Sequence, residues 1–265
     1  MNQESDSASL IPFLIVAIIN CTIILVYIYN SRITGWRLVL TLFVLLFGLQ
    51  YFMAQIESVW FNNALKMEDN AIYAILAGGF IASLAFSILA AAITGRLKGE
   101  TKGFDQFPVT LPNISTVLLL AFIVWPVIYF LAGYYIAWQF EAVRLFYTNS
   151  PGIDSLAVMM ERNIADKLYF FQMIRGLLWI LIAGTALFSL KGSTLRKAII
   201  VGLLLSILSS SQLLISNPIM PESVRMAHLL ETSTSNFIWG LVISYGLCWS
   251  NSRQLRTKMK TSHIQ

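Results

Sequence analysis

Residues 217–236, NPIMPESVRMAHLLETSTSN, run without a break into the apolar stretch 237–249, FIWGLVISYGLCW. At 3.6 residues per turn, Arg225, His228, Glu231, Thr232, Ser235 and Asn236 share one face of a single helix. Pro221 suits its first turn and Glu222 complements its dipole. Ionisable side chains at the mouth of an apolar span are costly in hydrocarbon and turn toward protein or water. The stretch therefore predicts a membrane helix bearing a polar site at one surface.

The rest of the chain supplies helices to meet it. Of its residues, 57% are hydrophobic and 12% charged, about half the charge of a soluble domain, and the mean hydropathy is +0.71. Seven spans can be drawn, over residues 10–29, 38–60, 71–94, 114–138, 170–190, 198–216 and 223–249, each near the ~20 residues that a bilayer requires. The expected fold is all-α: a polytopic transmembrane helix bundle forming a single domain over residues 1–265.

Charge in the connections sets the orientation. Arg32 and Arg37 follow span 1; Arg96, Lys98 and Lys102 follow span 3; Lys191, Arg196 and Lys197 follow span 5. Arg253, Arg256, Lys258 and Lys260 follow span 7. One side thus holds 12 of the 18 basic residues, with only Glu100 and Asp105 beside them. The other side receives the remaining acids, among them Glu4, Asp6, Glu68, Asp69, Glu161 and Asp166. The positive-inside rule then predicts the N-terminus out and the C-terminus in. The net charge of +5 faces anionic headgroups, and no nucleic-acid partner is implied. The leading MNQESDSAS is acidic and lacks a small-residue cleavage site, so residues 10–29 are expected to be a retained span. Cys21 and Cys248 lie at different depths and are expected to pack as thiols rather than to bridge.

Within the spans, Gln50 and Glu57 are expected on one face of span 2, with Glu57 pairing to Arg175 or Arg225 or reaching outer headgroups. Span 3 carries two small-residue ladders, Gly79, Ser83, Ser87, Ala91 and Ala74, Gly78, Ala82, suited to close helix packing. Pro126, after Trp125, should kink span 4 near mid-membrane. After Ser150-Pro151-Gly152, residues 154–168 predict an interfacial amphipathic helix, with Leu156, Met160, Ile164 and Leu168 four apart and Asp154 or Ser155 as its cap.

Polar groups gather at the outer ends: Glu57, Glu141, Arg144, Gln172, Arg175, Gln212, Asn217, Arg225, His228, Glu231 and Asn236, while the inner halves are nearly all apolar. A channel would need polar groups through its depth, so this pattern predicts a one-sided pocket. Glu57, Arg144, Arg175, Asn217, Arg225, His228, Glu231 and Asn236 are the candidate ligand-binding residues. Arg175 and Arg225 would clamp an anionic group, His228 would exchange protons or hydrogen-bond, and Glu57 and Glu231 would orient them. The plainer reading is an ion-pair network that only locks spans 2, 5 and 7 together. Two histidines, with His263 in the tail, and no HExxH imply neither a metal nor a cofactor. No Walker loop, GxSxG or GxGD occurs, and span 7 lacks a lysine for retinal, so nothing assigns an enzyme class.

The segments QYFMAQIESVWF, GYYIAWQFEAVRLFY, FQMIRGLLWIL and NPIMPESVRMAHLLETSTSNFIWG resemble those of a family of uncharacterised bacterial multi-pass membrane proteins. The resemblance covers about half of the chain and implies a bacterial cytoplasmic-membrane setting, without an activity. The expected function is an outer-leaflet pocket for a small anionic or lipid-headgroup ligand. The alternative is an accessory subunit bound to a membrane-protein partner.

Overall fold

Helices that are apolar on every side are stable only where protein or lipid covers them. The computed structural model describes residues 10–99 and 111–262, with side chains described for 10–99 and 113–252. Glu4, Asp6, Glu100, Lys102, Asp105, Arg253, Arg256, Lys258, Lys260 and His263 fall outside the described side chains.

The described long helices are α1 (Leu10–Asn30), α2 (Gly35–Trp60), α3 (Asp69–Ile93), α4 (Asn113–Gln139), α5 (Glu141–Thr148), α6 (Leu156–Ala165), α7 (Leu168–Leu187), α8 (Thr194–Leu214) and α9 (Glu222–Ser262). Six of them, α1, α2, α3, α4, α7 and α8, are long and apolar enough to cross a membrane. This is therefore an all-helical membrane protein. Its outward surface carries Leu10, Leu14 and Ile18 of α1 and Phe80, Ile81 and Leu89 of α3, a belt too apolar for water and suited to lipid tails. Helix α9 is longer still, but the Thr-Ser-Thr-Ser-Asn run and the four ionisable groups of its first turns, Glu222, Arg225, His228 and Glu231, make that half polar.

Two irregularities shape the bundle. Helix α2 contains a π-helical turn at Phe47–Phe52 and α4 another at Leu120–Val124. The second lies just before Pro126, where the sequence predicts a kink; the irregularity observed there is this π turn. Proline has no N–H for the carbonyl four residues back, which is that of Phe122. The Tyr169 hydroxyl of α7 donates to that carbonyl at 2.8 Å. Of the two small-residue ladders of α3 expected to pack closely, only one does. Gly79, Ser83, Ser87 and Ala91 are buried, and a Cβ on Gly79 would stand 2.3 Å from the Tyr51 ring in the first π turn. Ala74, Gly78 and Ala82 face outward.

At the basic end, the three short loops interlock. Arg32 N–H donates to Ser189 O (2.8 Å), Lys191 N–H to Asn30 O (2.9 Å) and Gly35 N–H to Arg96 O (2.9 Å). The Arg96 guanidinium caps α1 through the carbonyls of Ile28 and Ser31, at 2.7 and 3.0 Å, a favourable place for a cation. The described loop segments that carry Arg32, Arg96 and Lys191 thus meet at one end of the bundle. Cys21 and Cys248 are not joined in a disulfide.

Helices α8 and α9 form a tight hairpin around Gly202 and Gly240, where a Cβ on Gly240 would lie 2.5 Å from Gly202 Cα. Ser206 Oγ donates to Ser233 O at 2.8 Å across the same interface. Close approach of backbones replaces the hydrophobic effect as the source of helix association in lipid. Gly240→Leu should therefore cost about 2 kcal/mol through overpacking and lower the thermal midpoint in detergent. Gly78→Leu, which would meet nothing within 4 Å, should leave the midpoint unchanged; equal losses in both would contradict this packing.

Candidate functional site

At the end of the bundle opposite the basic loops, the last turns of α2 and the second turn of α7 bring Glu57 and Arg175 together. The pair is bidentate: Arg175 Nη1 and Nη2 donate to Glu57 Oε1 and Oε2, each at 2.7 Å. Planar fork-to-carboxylate geometry is the strongest arrangement of these two groups. Gln172, one turn before Arg175, accepts on Oε1 from Arg175 Nη1 (3.2 Å) and from Trp125 Nε1 (3.1 Å). The rings of Phe171 and Tyr129 flank the guanidinium at 5.7 and 5.9 Å. The Arg175 side chain is 5% exposed and that of Glu57 33%. The guanidinium is therefore the buried partner, and the carboxylate looks into open space.

A second polar unit stands on α9. His228 Nδ1 lies 3.2 Å from Glu231 Oε2, and Nε2 lies 3.2 Å from the Tyr147 hydroxyl. A carboxylate can only accept, so its contact assigns the proton to Nδ1 and leaves the Nε2 lone pair for the phenol of Tyr147. Burial pushes the Tyr147 phenol up, and the nearby carboxylates of Glu57 and Glu231 push it the same way. At neutral pH the phenol is protonated and donates. Tyr147 was not among the residues expected at the site. The chain leaves α4 at Phe140, extends for one residue, and folds back as α5; no spacing rule carries across such a turn. Ring contacts with Phe61 (6.0 Å) and Trp138 (6.4 Å) hold Tyr147 over α9.

These units line one partly open cavity of about 1240 Å³. Leu49, Met53, Trp125 and Trp179 form an apolar side. Glu57, Arg175, His228, Glu231 and Asn236 form the charged and polar wall, and Lys66, Arg162 and Asp166 contribute nearer the loops. Asn236 is pinned by its Nδ2 donating to Ser209 Oγ at 2.7 Å. Helix α6 borders the cavity with Met159, Arg162 and Asn163, while Val158, Met160 and Ile164 face outward. Ser155 caps it, accepting from Val158 N–H, and Asp154 pairs with Arg162. The helix ends at Ala165 because Lys167 adopts a left-handed conformation (φ 56°), so Leu168, expected in α6, begins α7 instead.

Three of the expected site residues lie outside the cavity. Arg225 Nη1 donates to the carbonyls of Leu213 (2.8 Å) and Ile215 (2.9 Å). Arg144 does the same for Pro151 and Trp138, both at 2.7 Å. Asn217 Oδ1 accepts from the N–H groups of Ile219 and Met220. Buried loop backbone demands partners, and these side chains supply them. Gln50 also departs from the expected face: the π turn shifts the register between it and Glu57, and Gln50 is buried away from the cavity. Among the described residues, no three His, Cys, Asp or Glu side chains converge as a metal site. Trp138 Nε1, Trp179 Nε1 and Arg175 Nε are buried in the cavity lining without an acceptor.

No family model, curated protein or solved structure matches this chain, so the reading of the site rests on its own geometry.

Truncating one partner of a buried pair leaves the other uncompensated. Glu57→Gln, which leaves the buried guanidinium without its carboxylate, should lower unfolding stability by about 3 kcal/mol, and adding Arg175→Met should return part of that loss. A double-mutant cycle by thermal or denaturant unfolding checks the coupling; strictly additive effects would contradict it.

Proposed function

We propose that this is a seven-span protein of the bacterial cytoplasmic membrane, N-terminus out, with α9 as its seventh span and its charged cavity in the outer leaflet binding a lipid headgroup or small anionic ligand. The orientation is supported by the basic loops joined at one end. The observation that carries the ligand reading is the cavity itself: ionisable and polar side chains of α2, α7, α5 and α9 converge on a space whose other side is aromatic and aliphatic. Such a lining suits a molecule with both a polar and an apolar part.

Between the two ligand classes, the lipid headgroup is favoured. A small free anion held beside Glu57 and Glu231 would need an uncommitted cation there, yet Arg225 is bound to carbonyls and Arg175 to Glu57, and Lys66 stands at the loop side. Outward Val158, Met160 and Ile164 on α6 would sit among lipid at headgroup level, beside the cavity. Glu57 and Glu231 would orient the ligand, and His228 would hold Tyr147 and Glu231 in place through its two ring nitrogens.

The accessory-subunit reading has one specific observation in its favour: the guanidiniums of Arg144, Arg175 and Arg225 are all engaged within the chain. A lock of this kind needs no ligand. The two readings separate on His228→Ala. With a headgroup site, native mass spectrometry of the detergent-purified variant should show several-fold less retained lipid at a nearly unchanged thermal midpoint. If the midpoint falls while lipid retention stays at the wild-type level, the network is only a lock.

A further inference from the structure

We infer that the cavity selects a glycerophospholipid without net negative charge whose headgroup donates hydrogen bonds, of the ethanolamine rather than the glycerol type. This rests on the headgroup reading above and names the chemistry of that headgroup.

The argument is a balance of charge and of donors. The inner wall holds two carboxylates, Glu57 and Glu231, against one fixed cation, Arg175, whose Nη1 and Nη2 both donate to Glu57. Glu231 is 8% exposed and has His228 as its partner. A further anion placed there would add repulsion in a site with little water to screen it. An ammonium group would meet the reverse: the open side of the Glu57 carboxylate and a second carboxylate on Glu231 to accept from it.

The second observation concerns oxygen. Trp179 and Arg175 line the cavity, are 2% and 4% exposed, and each carries an N–H without an acceptor, as does Trp138 toward the loops. All three are donors. Buried donors call for acceptors, and the carboxylates have already claimed the available charge. Uncharged ester carbonyls of a glycerolipid would meet that need, once seated against these side chains, without adding negative charge. The phosphate has Lys66 available at the loop side, with Arg162, itself paired to Asp154, beside it. A choline headgroup carries the positive charge but no N–H for Glu57 or Glu231, and a glycerol headgroup leaves the lipid with net negative charge.

The test uses the full chain, delipidated in detergent and offered equal amounts of dioleoyl phosphatidylethanolamine, phosphatidylcholine and phosphatidylglycerol, with retained lipid read by native mass spectrometry. Free phosphoethanolamine forms a fourth arm. The ethanolamine lipid should be retained about tenfold over the other two, the worth of one charge-assisted hydrogen bond. Glu231→Gln should bring that ratio toward one. Trp179→Phe should reduce retention of all three lipids alike, since they share the esters. Equal or better retention of the glycerol lipid overturns the inference while leaving the headgroup site standing, and so does an unchanged ratio in folded Glu231→Gln. Competition by free phosphoethanolamine as strong as that of the lipid overturns the glycerolipid part. Retention of no lipid and no headgroup overturns the headgroup site itself.

Discussion

A guanidinium that is 95% removed from solvent within an apolar bundle is the constraint on which the rest of this architecture depends. Desolvating such a charge costs several kcal/mol, recovered only by excellent geometry and a full set of partners. Glu57 supplies two parallel bonds, Gln172 a third, and two aromatic rings cover the faces. Those partners come from α2, α4 and α7. The pair therefore fixes how three helices stand relative to one another, and Gln172 extends it to the Trp125 indole and so to the tryptophan cluster of Trp125, Trp179 and Trp239.

Both π-helical turns precede site residues on their helices, one before Glu57 and one before Trp125 and Tyr129. An added residue in a turn rotates the downstream part of the helix by roughly 100°. The turns thereby aim Glu57 at the cavity and make room for the close contact of Gly176 with the Ala121 backbone. Their cost is contained by specific repairs, such as the Tyr169 hydroxyl on the Phe122 carbonyl.

The two ends of the bundle use their polar groups differently. At the basic end, backbone and side chain close the loops on one another, and Tyr27, fully buried, bonds Ser189 at 2.6 Å. At the other end, Arg144, Asn217 and Arg225 perform the same closure, while Glu57, Arg175, His228, Glu231 and Asn236 remain around a space. Similar residue types thus serve loop closure in one place and line a cavity in another. Which of the two an arginine does depends on whether unpaired carbonyls or a carboxylate lie within its reach.

Hydropathy, loop charge and small-residue spacing made the helices, the shared end of the basic loops and the small-residue ladders of α3 legible from the chain alone, because each depends on residues a few positions apart. That Gly79, Ser83, Ser87 and Ala91 are buried while Ala74, Gly78 and Ala82 face outward was decided by the neighbouring helix. The gathering of Glu57, Arg175, His228, Glu231 and Asn236 was legible as a common depth. It was not legible as a set of pairs: that Glu57 takes Arg175 and leaves Arg225 to carbonyls is decided by which helices are neighbours. Tyr147 was hidden for the same reason, since its place over His228 depends on the reversal at Phe140. Depth in a membrane is written locally, by where apolar runs stop. Partnership is a property of helix packing, and packing is settled by π turns, glycine contacts and loop reversals whose effects reach residues far away in sequence.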